Sequence, residues 1–378
     1  MRIALISDVY KPVINGVVNH VSLLKRYFEQ WGEQVWLFVP GSHDEPVDEP
    51  NVIRIPGIPI ADTGYHLSFT VDQRSRELLK QMEVIHVHHP FVSGSIGLSF
   101  SMRYQIPLIF TNHTRYDLYV QQYLPRLPEA ISETVLQTYF QMFSQRCAAI
   151  IAPSPSIAQV MQKWGVQGKV RVIPNGIELD QFMEPQVRFR REELGIPSDA
   201  VVGIYVGRMS GEKNVARLIR VFGVLAQEEP RGHLLLVGGG PKLEEYRTLA
   251  QELGVQERIT FTGPVPYEET PGYYHLADFF VSASVTEVHP LTFIEAAASG
   301  LPSVGIASPG VVDMIQDGET GFIAQDNDLS FGLGILKLLR IRELRRLMGR
   351  RAREFSRQFS AHNNARQVLR VYQEVVGE

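Results

Sequence analysis

One cysteine in 378 residues leaves little for oxidative chemistry to use. Cys147 has no partner for an internal disulfide, and no multi-cysteine metal site can be assembled around it. Its setting, a helix end running into the apolar stretch 148–152, suits a buried thiol in a reducing compartment. Long apolar stretches are missing too: no window approaches the roughly 18 consecutive apolar residues of a membrane-crossing helix. The opening MRIALISD reaches Asp8 too soon for a secretory signal and reads as a first strand. Positive charge is not in excess, since 37 Lys and Arg face 41 Asp and Glu for a formal net charge of −4. That balance gives no footprint for a nucleic-acid partner. The loop after the first strand has no G-x-G-x-x-G, which counts against a nicotinamide enzyme. His88 and His89 lack acidic or cysteine companions at zinc-ligand spacing, so no metal centre is expected.

Glycine and proline are plentiful, at 31 and 23, and they punctuate short apolar runs in a chain that is 44% hydrophobic. Such punctuation belongs to a folded protein with many tight connections, and the length suits two domains. Strands are predicted at 2–6, 35–39, 52–55, 84–87, 108–111, 149–152 and 171–173, with helices at 17–31, 93–103, 129–146 and 155–164. A second series puts strands at 201–206, 234–238, 259–261, 279–283 and 303–306. Helices follow near 213–229, 241–253, 267–276, 291–299 and 311–317. Continuous apolar strands alternating with helices make an α/β protein of two doubly wound, Rossmann-like halves. The expected domains are 1–173 and 187–358, joined by a linker at 174–186. A last amphipathic segment, 359–378, is free to pack against either half.

Ligands of such folds bind beyond the carboxyl ends of the strands. In the first half, Gly16 stands before a helix start, where free amides suit a phosphate; an ordinary helix-start glycine is the competing reading. His113 and Arg115 follow strand 108–111 in FTNHTRYDLY, where a neutral imidazole can donate to a sugar or a phosphate. A histidine held in a capping network is the alternative. In the second half, VGRMSGEKN sets Arg208 and Lys213 five apart around Gly211. Two cations at a strand end would neutralise a diphosphate, unless they are a solvated basic pair. Gly238, Gly239 and Gly240 either face a ligand or make a tight turn. Glu287 and Glu295 stand eight apart at a strand-to-helix connection, fit to grip sugar and ribose hydroxyls. The run Ala296–Ala297–Ala298–Ser299–Gly300 implies close packing around the second of them. DND at 326–328 reads as a turn and helix cap rather than a metal site.

Taken together, Asn15-Gly16, NHT at 112–114, PNGI at 174–177, GRMSGEKN at 207–214 and Glu287-x7-Glu295 followed by ASGLP at 298–302 resemble glycosyltransferase family 4 along nearly the whole chain. The resemblance implies the GT-B fold, two Rossmann-like domains facing across a cleft, and hexosyl transfer from a nucleotide sugar with retention and no metal ion. It further implies that Gly16, Arg208 and Lys213 meet the donor diphosphate, that Glu295 holds the ribose and that Glu287 contacts the transferred sugar. His113 would stand at the reaction centre, and the uracil of UDP-glucose would lie near Val265. One departure is Pro290, where the family carries a glycine whose amide meets the donor. The amides of Val288, His289 and Leu291 are then left for that task.

TNHTRYDLYVQQYLP is similar to a stretch of bacterial diacylglycerol glucosyltransferases, with Tyr116, Tyr119 and Tyr123 at helical spacing. The implied acceptor is a hydroxyl, with diacylglycerol or a glycolipid as the membrane-lipid case. The implied location is cytoplasmic, at the inner face of the cell membrane. Segment 337–357, rich in Lys and Arg, adds an expected basic surface. A soluble or polysaccharide acceptor, a sugar-nucleotide epimerase and a non-catalytic sugar-nucleotide sensor are the alternatives.

Overall fold

Apolar runs without polar alternation become strands covered on both faces, and the chain builds two parallel sheets from them. The computed structural model describes residues 1–13, 15–41, 49–59, 66–68, 70–118 and 129–377. They divide into one unit of Met1–Gly176 with Ala361–Glu378 and a second of Ile177–Ser360.

In the first unit the strands are β1 (Arg2–Ile6), β2 (Gln34–Gly41), β3 (Val52–Pro56), β6 (Val84–Val87), β7 (Leu108–Thr111), β8 (Ala149–Ala152) and β9 (Val170–Val172). Their order is β3-β2-β1-β6-β7-β8-β9, and a small antiparallel ladder joins β4 (Ile58–Pro59) to β5 (His66–Leu67). The helices are α1 (Gly16–Gln30), α2 (Gln73–Leu79), α3 (Val92–Tyr104), α4 (Glu129–Ser144) and α5 (Pro155–Lys163). Asn15 starts α1 by accepting the Val18 N–H at 2.9 Å. Val18, Val21, Leu24 and Phe28 then bury one face of it.

The second unit has β10 (Val201–Val206), β11 (Gly232–Val237), β12 (Ile259–Gly263), β13 (Phe279–Ser282), β14 (Ser303–Ile306) and β15 (Gly321–Ala324), in the order β12-β11-β10-β13-β14-β15. Its helices are α6 (Leu179–Met183), α7 (Val215–Glu228), α8 (Leu243–Glu252), α9 (Thr270–Tyr274), α10 (Leu291–Ala298), α11 (Asp328–Arg340) and α12 (Arg342–Ser356). Strand alternation divides its core into two layers. Val201, Tyr205, Leu234 and Leu236 enter one, while Val202, Ile204, Leu235 and Val237 enter the other.

The chain crosses between units at Gly176–Ile177, and within the expected linker α6 sinks Phe182 fully into the second core. The last helix, α13 (Ala361–Gly377), returns to the first unit. There Val368, Val371 and Tyr372 are buried, and the Tyr372 ring meets Phe28 edge-on at 5.4 Å.

Two expectations are corrected and one strand is added. Residues 311–317 are a series of turns, not a helix. Val311, Met314 and Ile315 are buried at spacings of three and four, which imitates one helix face. The backbone instead folds back, with Val311 and Val312 N–H groups both meeting the Ser308 carbonyl at 3.1 Å. Strand β15 was not foreseen because it is only four residues long, GFIA, and opens on a glycine with no flanking periodicity. The basic surface of 337–357 is largely compensated. Arg353 turns inward to the Ala298 and Met183 carbonyls, Arg345 to those of Leu338 and Leu339. Arg340, Arg346, Arg351 and Arg357 pair with Glu229, Glu343, Glu319 and Glu354.

Candidate active site

Strand order reverses once in each sheet, and a parallel sheet offers its ligand crevice at that reversal. In the second unit the reversal lies between β10 and β13. The loop after β10 carries Arg208 and Lys213, the loop after β13 carries Glu287, and Lys213 Nζ donates to Glu287 Oε1 at 2.8 Å. Burial pushes the Glu287 carboxyl up, but the Lys213 charge and hydrogen bond outweigh it and hold the group below its ordinary value. Two weaker ties join the same loops: Asn214 Nδ2 to the Ala283 carbonyl and Thr286 Oγ1 to that of Glu212, both 3.4 Å. Arg208 is exposed, and no side-chain partner stands beside it among the described residues.

The glycines after β11 serve close approach. A Cβ on Gly238 would sit 2.1 Å from the Gly207 carbonyl oxygen, one on Gly240 2.5 Å from that of Met209, and both residues have positive φ. Met209 N–H meets the Gly239 carbonyl at 2.8 Å, and Gly238 N–H meets that of Gly263 at 3.1 Å. The loops after β10, β11 and β12 are therefore laced backbone to backbone. Val265, half-buried, follows Gly263 and Pro264 on the last of them.

Pro290 caps α10 by position, and its carbonyl takes the Phe293 N–H at 3.2 Å. The helix start leaves the Leu291 and Thr292 amides as donors without intrahelical partners. Val288 and His289 just before it are buried, and the His289 ring meets Phe359 edge-on at 5.7 Å.

Glu295 lies on α10 and is 3% exposed, so it is not a surface residue. Tyr274 and Tyr267 hydroxyls donate to its two oxygens at 2.8 and 3.1 Å. Burial lifts its pKa to about 7 despite those hydrogen bonds. The folded chain thus holds this proton more tightly than the unfolded chain does. The stability this contributes is full below about pH 4.5 and is lost as pH climbs through about 7. Urea unfolding across that range should show the Glu295→Gln variant with a flatter slope than the parent and a higher stability above pH 7. Parallel slopes would contradict the raised pKa.

In the first unit the reversal lies between β1 and β6. Asp8 after β1 takes the Ser93 N–H at 2.8 Å, and its own N–H meets His89 Nδ1 at 3.2 Å. His113 after β7 and His88 after β6 share a 3.0 Å contact between Nε2 and Nδ1. His20 on α1 completes the group, with ring centroids 5.0 Å from His113 and 5.6 Å from His88. Sequence reading missed His20. Its one signal is a spacing of four from Gly16, which sets it one turn inside α1, while Gly16 is exposed as the first residue of that helix. Burial, reinforced by the neighbouring imidazoles, holds His113 well below its ordinary pKa. Arg115 is paired with Asp117 at 2.6 Å rather than turned to a ligand. Tyr116 is packed among Phe91, Phe140 and Trp164 rings, whereas Tyr119 and Tyr123 lie outside the described residues. No described helix is long and apolar enough to cross a membrane.

The loops on these sheets match known proteins along the chain. Residues 14–181 match the model of Glycosyltransferase Family 4, and 186–355 that of Glycosyl transferases group 1. Alpha-monoglucosyldiacylglycerol synthase of Streptococcus pneumoniae is 31% identical over 84% of this chain and 74% of its own length. The enzyme of that name from Acholeplasma laidlawii is 31% identical over 87% of this chain and 86% of its own. Sucrose-phosphate synthase from Thermosynechococcus elongatus superposes with a TM-score of 0.80 at 24% identity, over 100% of this chain and 99% of that one. With matched halves, two singly reversed parallel sheets and the Lys213–Glu287 pair at one reversal, the chain belongs to glycosyltransferase family 4, with the GT-B fold, and is a glycosyltransferase.

Proposed function

We propose that this enzyme moves a hexose, glucose from UDP-glucose, onto a lipid hydroxyl such as that of diacylglycerol or a glycolipid, at a membrane surface and with retention of configuration. The observation that carries the lipid acceptor is a groove of about 920 Å³ between α2 and α3. Phe91, Ile96 and Phe100 give it apolar walls suited to an acyl chain, and Arg76, Lys80 and Arg103 give it cations suited to a membrane surface. It opens beside Phe91 and Val92, directly after the His88–His89 strand end. The names of the two synthases point the same way.

In this reading Arg208, Lys213 and the amides at Gly16, Leu291 and its neighbours neutralise the donor diphosphate. Val265 borders the uracil, Glu295 holds the ribose, Glu287 contacts the sugar and His113 donates to it. The bond from the anomeric carbon to the phosphate oxygen breaks as the acceptor oxygen bonds on the same face. The leaving phosphate takes the acceptor proton. A general base works best with a pKa near the working pH, and His113, held well below that range, is a poor candidate for the base of an inverting reaction.

Incubation with UDP- and GDP-sugars and a panel of lipid and soluble acceptors, read by mass spectrometry, tests this directly. A glucosylated diacylglycerol or glycolipid from UDP-glucose is expected, and exclusive glycosylation of a soluble acceptor would overturn the lipid reading. Proton NMR of that product should show the small anomeric coupling of an α-glucoside; a large coupling would make His113 the general base. Because cationic side chains and amides carry the diphosphate, excess EDTA should leave the rate essentially unchanged. Complete loss restored by Mn²⁺ or Mg²⁺ would contradict that assignment.

A further inference from the structure

His20, His88 and His113 come from three separate elements and offer one ring nitrogen each, all within 4.8 Å of one another. His88 Nδ1 and His113 Nε2 are already 3.0 Å apart. Two nitrogens on one tetrahedral zinc stand about 3.3 Å apart, given bonds of about 2.0–2.1 Å. His20 Nε2 is buried without a hydrogen-bond partner among the described residues, and its side chain is 3% exposed.

We propose that His20, His88 and His113 form a binding site for a transition-metal cation of the zinc class, and that its occupation withholds His113 from hexosyl transfer. An all-imidazole set selects zinc, copper or nickel and disfavours magnesium, calcium and manganese, which prefer oxygen. The site therefore differs in kind from a diphosphate-bound magnesium or manganese. Three protein ligands leave a fourth position for water. Coordination replaces the His88–His113 hydrogen bond: the ring proton lying between them moves to the other nitrogen of its own ring, and none is released. The control of transfer rests on the role proposed above for His113, whereas the metal site itself does not depend on which sugar or acceptor the enzyme uses.

The test starts from the whole protein stripped with a chelator and titrated with Zn²⁺ against a chromophoric competitor, and separately with Co²⁺. One zinc per chain and the visible bands of four-coordinate cobalt are expected. The His20→Asn variant should lose affinity by more than the roughly 10–100-fold that follows loss of an outer-shell partner. Its circular dichroism and melting temperature report whether it folds. Anomalous diffraction from zinc-soaked parent crystals serves as the second readout, with a peak expected among the three rings. Zinc should inhibit transfer by the parent enzyme in step with occupancy. The site is overturned by absent binding, by unchanged affinity in a folded His20→Asn variant, or by an anomalous peak elsewhere only. Zinc bound among the rings with full transfer activity would overturn its control of His113.

Discussion

Replacing Lys213 by alanine should lower kcat/KM by about 10²–10³-fold, the loss of about 3 kcal/mol expected when one preorganised donor to developing charge is removed. Two effects act together. The departing diphosphate loses a cation, and Glu287, whose carboxyl Lys213 holds at 2.8 Å, is left as a half-buried charge without that partner. Arg208→Ala should fall in the same direction and range, but with no carboxylate stranded, because Arg208 stands exposed without a described side-chain partner. Steady-state kinetics, with denaturant melts to confirm folding, check both. Unchanged kcat/KM in the two variants would remove them from the diphosphate. Glu287→Gln combined with Lys213→Ala separates the effects, since losses that fail to add measure the coupling within the pair.

Gly238→Ala should be among the most damaging single-methyl changes in the second unit. The added carbon would meet the Gly207 carbonyl oxygen at 2.1 Å, backbone against backbone, at a φ of 129°. No rotamer relieves that clash, so the loops after β10 and β11 must separate. A cost of about 3 kcal/mol is expected from strain and overpacking together. For a unit of this size it lowers the melting temperature by about 10 °C. The same separation shifts Met209 and the Arg208–Lys213 turn, so nucleotide affinity should fall with stability. Gly211→Ala is the control, because nothing lies within 4 Å of its added carbon. Equal melting temperatures for Gly238→Ala and the parent would contradict the packing role.

The glycines at 238–240 show where sequence reading stops. GGG at 238–240 fits a ligand contact or a tight turn equally well on paper, because both ask for backbone without a side chain. Coordinates separate them, since the atom nearest the absent Cβ is a carbonyl of another loop at Gly238 and Gly240 and the Pro264 ring at Gly239. Turns at 311–317 failed for a related reason. Burial of Val311, Met314 and Ile315 repeats the spacing of a helix face, while a φ of 92° at Gly310 and carbonyls of Glu287 and Val288 beside it pin the backbone into turns.

The amino-acid sequence by itself determined the alternation of strands and helices, the two α/β halves and the loops that carry Lys213, Glu287 and His113. These rest on local periodicity and on residues at strand ends, which near neighbours in the chain dictate. Asn327 capping α11 through the Ser330 N–H at 2.8 Å belongs with them, since a cap is a three-residue event. Only tertiary structure decided the rest. It put α13 in the first unit through Tyr372, because one amphipathic face fits either core until a partner surface is chosen. It set Glu295 between Tyr267 and Tyr274 with only 3% of it exposed. It also drew His20, 68 residues before His88 and 93 before His113, into one cluster. Side-chain chemistry is written residue by residue, but burial and cross-element distance depend on how β1, β6 and β7 lie side by side and on where α1 packs against them.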